Sequence, residues 1–424
     1  MEFKEHLKTY LSEQEIEDLL VSLNKESSHA ALMNHHKMSD ETFLSLFPNV
    51  KKHPIVEHAF IYDKNEYDLG KSIYHMLGCF YLQEPSAMLP AFLLNAQEND
   101  LVLDMCAAPG GKTIQTSLLM NNKGLIIAND LSRSRASIIV ENIERLGLGN
   151  VVITSNDLSL IYQNHLNQFD KIVLDAPCSG SGMFRKEQKM EEDWSYNKVL
   201  KFAETQKELL SIAYQMLKPG GLLMYSTCSF SEEEDEDVVL SLTNTTEAEV
   251  IELNHPLFYK NKNKPYGIHI FPSIFPGEGH YLCLIKKPGL CVQNNIKISK
   301  NTNKYGLDFK EIYNFGDFIF GLNCEYKFKD FNVLRLGVKI GEVIKNEIKY
   351  DYHYAHYITF YGNEYELNDE QMNKYLKGET VLYNIKKGLV LLKYQNIPLD
   401  LTKADGRMIK NHLPKFLRNK YKIS

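Results

Sequence analysis

The chain has 424 residues, 44% hydrophobic and 24% charged, too long for one hydrophobic core and ordinary for a soluble globular protein of two or three domains. No apolar run nears the roughly 20 residues that span a bilayer. The first residues, MEFKEHLKTYLSEQEIEDLL, are charged and amphipathic rather than a secretory leader, so a cytoplasmic protein without a membrane partner is expected. Seven scattered cysteines without a CxxC pair exclude a disulfide framework and a zinc finger, and no metal is expected.

In chain order, residues 1–75 read as small helices and loops, with helical spacing at Ile16, Leu19, Leu20 and Leu23. From about 76 to 287 strands and helices alternate. LVLDM (101–105), GLIIAND (124–130), NVVITSND (150–157), KIVLDAP (171–177) and GLLMYST (221–227) are apolar runs, most closed by a polar residue. SRASIIVENIERLG (134–147) and FAETQKELLSIAYQML (202–217) are helical, and KPGG (218–221) ends the second of these and turns into a strand. GHYLCLIKK (279–287) is the last strand of this region. This alternation predicts an α/β, mostly parallel, doubly wound sheet whose ligands lie beyond the carboxyl ends of its strands. A polar linker follows, NNIKISKNTNKYG at 294–306 within 288–306, and then a small β-rich module at 307–424.

Charge is unevenly spread. The net charge is −6, which speaks against a nucleic-acid binder, yet residues 301–424 carry 20 Lys+Arg against 15 Asp+Glu. Residues 401–424 carry seven bases and one acid. That tail reads either as a phosphate-contacting patch or as a solvated surface helix.

The first strand runs into CAAPGGKT: Cys106, Ala107, Ala108, Pro109, Gly110, Gly111 and Lys112, then Thr113. Such a glycine-rich turn into a helix lets a ligand approach the backbone. It is not a phosphate-binding Walker loop, which needs glycine at position 106, nor the GxGxxG of a dinucleotide enzyme. Asp130, Asp157 and Asp175 end the second, third and fourth strands. The first can hold both ribose hydroxyls and the second can reach an adenine amine, which suits an adenosyl cofactor without phosphates. Any one of them alone would read as a helix cap; three beside the turn read as a binding set.

Two cysteines stand in small-residue turns after strands, Cys178 in KIVLDAPCSGSG (171–182) and Cys228 in GLLMYSTCSFS (221–231). Both face the cofactor crevice. A thiolate there can add to C6 of cytosine, making C5 nucleophilic enough to attack a sulfonium methyl. The residues alone do not say which cysteine attacks. Asp175 is placed to hydrogen-bond the cytosine N3 edge and offset charge there.

YLQEPSAM (81–88), LDMCAAPGGKT (103–113), VLDAPCSGSGMFRK (173–186), YSTCSFSEEEDEDVV (225–239) and PGEGHYL (276–282) together resemble the motifs of the Nol1/Nop2/Sun-type RNA cytosine-C5 methyltransferases, over about residues 75–287. GEGH and the tail GRMIKNHLPKFLR (406–418) resemble the bacterial RsmF-type ribosomal RNA branch. The resemblance implies a Rossmann-like S-adenosylmethionine-dependent core at 76–287, an N-terminal α+β RNA-docking segment at 1–75 and a PUA-like RNA-binding module at 307–424. It implies Cys228 as nucleophile, Cys178 as the residue assisting release, and Lys112 in the cofactor loop, although Lys112 can equally pair with a nearby acid. The segment LMNHHKMS (32–39) departs from the family's Arg-x-Asn-Thr pattern, with Leu32 at the arginine and His35 at the threonine. IHIFPSIFP (268–276) lacks the family's basic residues.

Several local expectations remain. Ser231 and Glu234 read as the capping box of a helix after Cys228, whose N-terminus would acidify the thiol while the neighbouring carboxylates oppose this. Arg185 and Lys186, with Trp194 nearby, follow the fourth-strand loop and can contact the RNA backbone or a base, although Trp194 reads rather as a core anchor. The expected protein is a monomeric cytosine-C5 methyltransferase acting on ribosomal RNA of the small subunit. Transfer RNA is the alternative substrate, and an inactive RNA-binding assembly factor the alternative class. The joint presence of Cys178, Cys228 and three carboxylates argues against the latter.

Overall fold

In the computed structural model, which describes residues 2–186, 188–290, 307, 309–345, 347–358, 362–382 and 385–423, the five apolar runs become parallel strands of one sheet. They are Leu101–Asp104, Leu125–Asn129, Val151–Thr154, Phe169–Asp175 and Leu217–Thr227, here the first to fifth strands. Their spatial order is fifth, fourth, first, second, third. His280–Lys286 lies antiparallel to the fifth strand, and Glu249–Ile251 lies beyond it. Every residue of the first three strands is buried, because helices cover both faces of a parallel sheet and the strands therefore read as continuous apolar runs. The chain reverses direction across the sheet between the first and fourth strands, which opens a crevice at their carboxyl ends.

The fifth strand begins earlier than expected. KPGG lies inside Leu217–Thr227 rather than before it. Gly220 takes a positive φ of 76°, and the Gly220 amide donates to Lys287 O at 2.7 Å. The glycines thus bend an edge of the strand instead of ending the helix Tyr196–Met216.

The N-terminal segment is α+β, as the resemblance implies, rather than the helices and loops that its own pattern shows, and its sheet is completed by a strand just beyond residue 75. His29–Met33, Lys51–Lys52, Ala59–Tyr62 and Phe80–Gln83 form a four-stranded antiparallel sheet. It is fixed to the helix Arg133–Leu146 by buried polar groups. The Asn34 amide donates to Gly78 O and Leu146 O, both at 2.9 Å, and Lys37 Nζ donates to Leu77 O at 2.7 Å and Arg145 O at 3.0 Å.

The C-terminal region is β-rich, as expected, but it is not separate from the rest. Val333–Leu336 pairs antiparallel with the third strand and extends the catalytic sheet. Leu367, Met372, Tyr375, Leu392 and Tyr421 share one hydrophobic core with Phe43, Phe60 and Tyr74 of the N-terminal segment. The basic tail contains strand residues up to Ala404, a short strand Met408–Ile409 and a single 3-10 turn, Lys415–Leu417, so the surface-helix reading fails. Its Lys403, Arg407, Lys410, Lys415, Lys420 and Lys422 are exposed. The expected linker 294–306 lies outside the described residues. Among the described residues, no helix is long and apolar enough to cross a membrane.

Candidate active site

The crevice is floored by the glycine turn. Gly110 caps the helix Gly111–Leu119 at φ 110°, a conformation that glycine adopts without strain. A Cβ on Gly111 would stand 2.7 Å from Gln83 Nε2. Asp130, buried at the end of the second strand, accepts from the Ser132 amide at 2.9 Å and the Ala108 amide at 3.3 Å, so it sets the shape of the turn that runs through Ala107, Ala108 and Pro109. Arg135 stands 3.5 Å from the same carboxylate. Asp157 is exposed and caps the short helix Leu158–Ile161 through the Ser159 amide. Asp104, inside the motif LDMCAAPGGKT, is buried and accepts from Thr113 Oγ1 at 2.6 Å, while its Oδ1 has no partner among the described residues. Burial, only partly opposed by Thr113 and Lys112, pushes its carboxyl up to about 7. Burial also raises the Cys106 thiol. A glycine-opened backbone between a buried ribose-type carboxylate and a second buried acid, with no cationic phosphate cradle, fits an adenosyl group.

The fourth and fifth strands carry the reactive groups. Asp175 pairs in register with Ser226, and Ser226 Oγ donates to Asp175 Oδ1 at 2.7 Å. Lys112 Nζ stands 2.7 Å from Asp175 Oδ2, so of the two readings of Lys112 the acid pairing is realised, inside the cofactor loop. Burial favours a protonated Asp175, but Lys112, His280 and the hydrogen bonds of Lys112 and Ser226 hold its carboxyl below the ordinary value. His280 places Nε2 3.9 Å from Asp175 Oδ1 and Nδ1 3.5 Å from Glu84 Oε1. Burial and the nearby Lys112 lower His280, leaving a neutral imidazole at pH 7. Glu84 and His280 belong to quoted motifs, YLQEPSAM and PGEGHYL, and only that membership marked them.

The Cys178 and Cys228 sulfurs lie 3.0 Å apart, about an ångström more than a disulfide. The Cys178 thiol is raised well above its ordinary value, first by its hydrogen bond to Cys228, then by burial and the charges of Cys228 and Glu234. The approach of the two loops is close. The Gly182 amide donates to Cys228 O at 2.7 Å, and a Cβ on Gly182 would lie 2.9 Å from that oxygen.

The expected capping box is not formed. The helix starts later, at Glu236, and Ser231 Oγ has no partner among the described residues. Glu234 instead turns back between the cysteine loops. It accepts from the Ser179 amide at 2.8 Å, from Ser179 Oγ, from Ser229 Oγ at 2.7 Å and from Gln206 Nε2 at 3.0 Å. Four donors already converge on it, which outcompetes one amide at a helix end. Arg185 also departs from expectation. Its guanidinium is buried against Glu278, with Nε 2.8 Å from Oε2, and donates to Gly277 O at 2.6 Å, so it braces the loop rather than meeting RNA. Lys186 is exposed. Trp194 is half-buried and packs edge-on against Phe3 of the helix Phe3–Leu7 with ring centroids 5.3 Å apart, so it anchors that helix from the edge of the fold rather than from its core.

The chain matches the family described as 16S rRNA methyltransferase RsmB/F over residues 91–286, the N-terminal domain of 16S rRNA methyltransferase RsmF over 1–85, and the methyltransferase RsmF PUA domain over 362–419. It is 31% identical to ribosomal RNA small subunit methyltransferase F of Vibrio vulnificus, across 98% of this chain and 96% of that one. The chain belongs to the RsmF family. The protein of that name from Vibrio campbellii is 32% identical with the same coverage. Among solved structures, a methyltransferase homolog protein from Pyrococcus horikoshii is 28% identical, with a TM-score of 0.59, covering 67% of this chain and 93% of that one. NSun6 from the same organism, with SFG, reaches a TM-score of 0.62 at 21% identity over 68% of this chain and 98% of that one, a likeness of fold. As an RsmF-type protein the chain is an S-adenosylmethionine-dependent RNA methyltransferase, with a Rossmann-like core and a PUA-like C-terminal domain.

Proposed function

We propose that the protein methylates C5 of a cytosine in small-subunit ribosomal RNA through a transient bond between Cys228 and C6. The observation that carries this reading is the 3.0 Å approach of the Cys178 and Cys228 sulfurs at the ends of adjacent parallel strands, just beyond Asp175 and beside the glycine turn.

Cytosine C5 is a poor nucleophile until sulfur adds at C6. Cys228 attacks as the thiolate, and the displaced electron pair moves into the ring toward N3. Asp175, held ionised, accepts from the cytosine 4-amino group. The Lys112 ammonium beside it, rather than the carboxylate, offsets the negative charge that builds at N3. Gly110, Gly111, Ala107, Ala108, Pro109 and Asp130 shape the cofactor site, Cys106 lines it, and Asp157 closes its adenine end. Bound S-adenosylmethionine supplies the electrophilic methyl group. Release requires the C5 proton to leave to a base while the C6–S electrons return to sulfur. Cys178, which keeps its proton, donates it to the departing Cys228 sulfur. The N-terminal segment and the exposed lysines of the C-terminal tail hold RNA through its phosphates, which offsets the cost of extruding the target base.

The test is incorporation. Purified protein, methyl-labelled cofactor and bacterial small-subunit RNA, naked and assembled, are incubated and the RNA digested to nucleosides. Label in 5-methylcytidine supports the reading, and label confined to transfer RNA would move the substrate. Label in another nucleoside, or none in any RNA, would overturn it.

A further inference from the structure

The N-terminal segment brings together three side chains that the crevice does not use. His35 lies in the turn after the strand His29–Met33, Asp40 opens the helix Asp40–Leu46, and His58 ends the turn before the strand Ala59–Tyr62. The Met33 amide donates to His58 O at 2.9 Å, which draws the two turns together. His35 Nε2 stands 2.8 Å from Asp40 Oδ1, and His58 Nδ1 stands 2.8 Å from Asp40 Oδ2. The imidazole centroids are 3.9 Å apart at 80°. One ligand atom from each residue lies within 4.8 Å of the others.

We propose that His35, Asp40 and His58 bind a divalent transition cation, with Zn2+ the best match to two imidazoles and one carboxylate. Both rings aim a nitrogen at one carboxylate from different sides. A cation at their centre replaces two N–H protons by two nitrogen lone pairs, and Zn–N and Zn–O distances of about 2 Å need only a small outward shift of the rings.

A second observation is independent of the cluster. His35 and His58 line a pocket of about 360 Å³, together with Leu32, Phe92, Leu118 and Gln115. Gln115 is 1% exposed, and neither its Oε1 nor its Nε2 has a hydrogen-bond partner among the described residues. A buried carboxamide unpaired at both ends is rare and calls for an explanation, and a polar group bound in this pocket supplies one. The coordination positions that protein ligands leave open are filled by water or an anion, for which the pocket beside His35 and His58 has room. His35 stands where the family pattern has threonine, so that pattern does not account for it. Spacings of five and 18 residues match no common zinc motif, so no pattern along the chain points to the cluster.

The full chain, stripped with a chelator, is titrated with Zn2+ by calorimetry and with Co2+ by visible absorption. One cation per chain is expected, with Co2+ bands that lack thiolate charge transfer, which separates this site from Cys178 and Cys228. His58→Asn and Asp40→Asn should each weaken binding at least about tenfold and abolish the rise in melting temperature that Zn2+ gives the unaltered protein. Melting curves without metal check that the variants fold. Should they fail to fold, His35→Gln at an exposed position carries the same expectation. No saturable binding, binding that these variants retain, or a thiolate band would overturn the assignment.

Discussion

Lys112 Nζ stands 2.7 Å from Asp175 Oδ2, joining the helix behind the glycine turn to the strand that carries Cys178. The pair has no net charge, but its two members act on different parts of a bound base. Lys112→Met removes the cation and leaves burial, the largest influence on Asp175, opposed only by His280 and the Ser226 hydrogen bond. The expected result is a loss in kcat on the order of 100-fold, as for other groups that stabilise developing charge. The acid limb should also move. In the unaltered protein Asp175 is depressed, so its ionised form persists until the pH falls below the ordinary carboxylate range; in the variant the carboxyl rises and protonates sooner. A kcat/KM profile against pH that superimposes on the unaltered one would refute the assignment.

The two sulfurs 3.0 Å apart should fail in opposite ways. Cys178→Ala removes the proton donor for release, so a covalent RNA adduct should accumulate as a slow, ribonuclease-sensitive band on a denaturing gel. Cys228→Ala should give neither band nor methyl transfer while still binding cofactor. The band appearing in Cys228→Ala instead would exchange the two roles.

Glu234 holds both cysteine loops at once. Glu234→Ala removes the acceptor of the Ser179 amide, of two hydroxyls and of one Gln206 N–H in a buried site, while Gln206 Nε2 keeps Pro177 O and the two hydroxyls keep each other. A cost of about 2–4 kcal/mol is expected, since each unpaired buried group costs about 1–3 kcal/mol and neighbours relax in part. Urea unfolding measures this, and Glu234→Gln, which keeps an acceptor, should lose less. Equal midpoints for all three proteins would show that the clamp adds nothing.

Asp104 gives the fold a pH signature. Its folded value is about 7, above the unfolded value of about 4, so the folded state holds the proton more tightly. Its contribution to stability is complete below about pH 4 and is lost as the pH rises to about 7. Asp104→Asn should flatten the melting temperature over that window and gain on the unaltered protein toward pH 8. Parallel curves would place the group's influence elsewhere.

Much of the core was legible because parallel strands buried on both faces announce themselves as unbroken apolar runs: Leu101–Asp104 and Leu125–Asn129 stand where the pattern put them. The N-terminal sheet was not, because strands of two to five residues such as Lys51–Lys52 are too short to display alternation. Ser231 and Glu234 have the spacing of a capping box, and only the fold reveals that Ser179, 55 residues earlier, claims the same carboxylate. Arg185 failed for a related reason: a basic residue after a catalytic loop looks available to RNA until Glu278 is found beside it. Local patterns report what a residue can do, whereas competition among distant partners decides which it does.

Val333–Leu336 closes the edge of the catalytic sheet, and the residues beyond it share a core with Phe43 and Phe60. The N-terminal segment and the C-terminal region are therefore cast in one piece with the crevice. Cut before residue 307, the protein would bare the third strand as an unpaired edge, an invitation to aggregate. If the basic tail holds RNA as proposed, the whole chain acts as a caliper: the span from tail to cysteines is built in, and a cytosine is selected by its distance from the held RNA as well as by its identity.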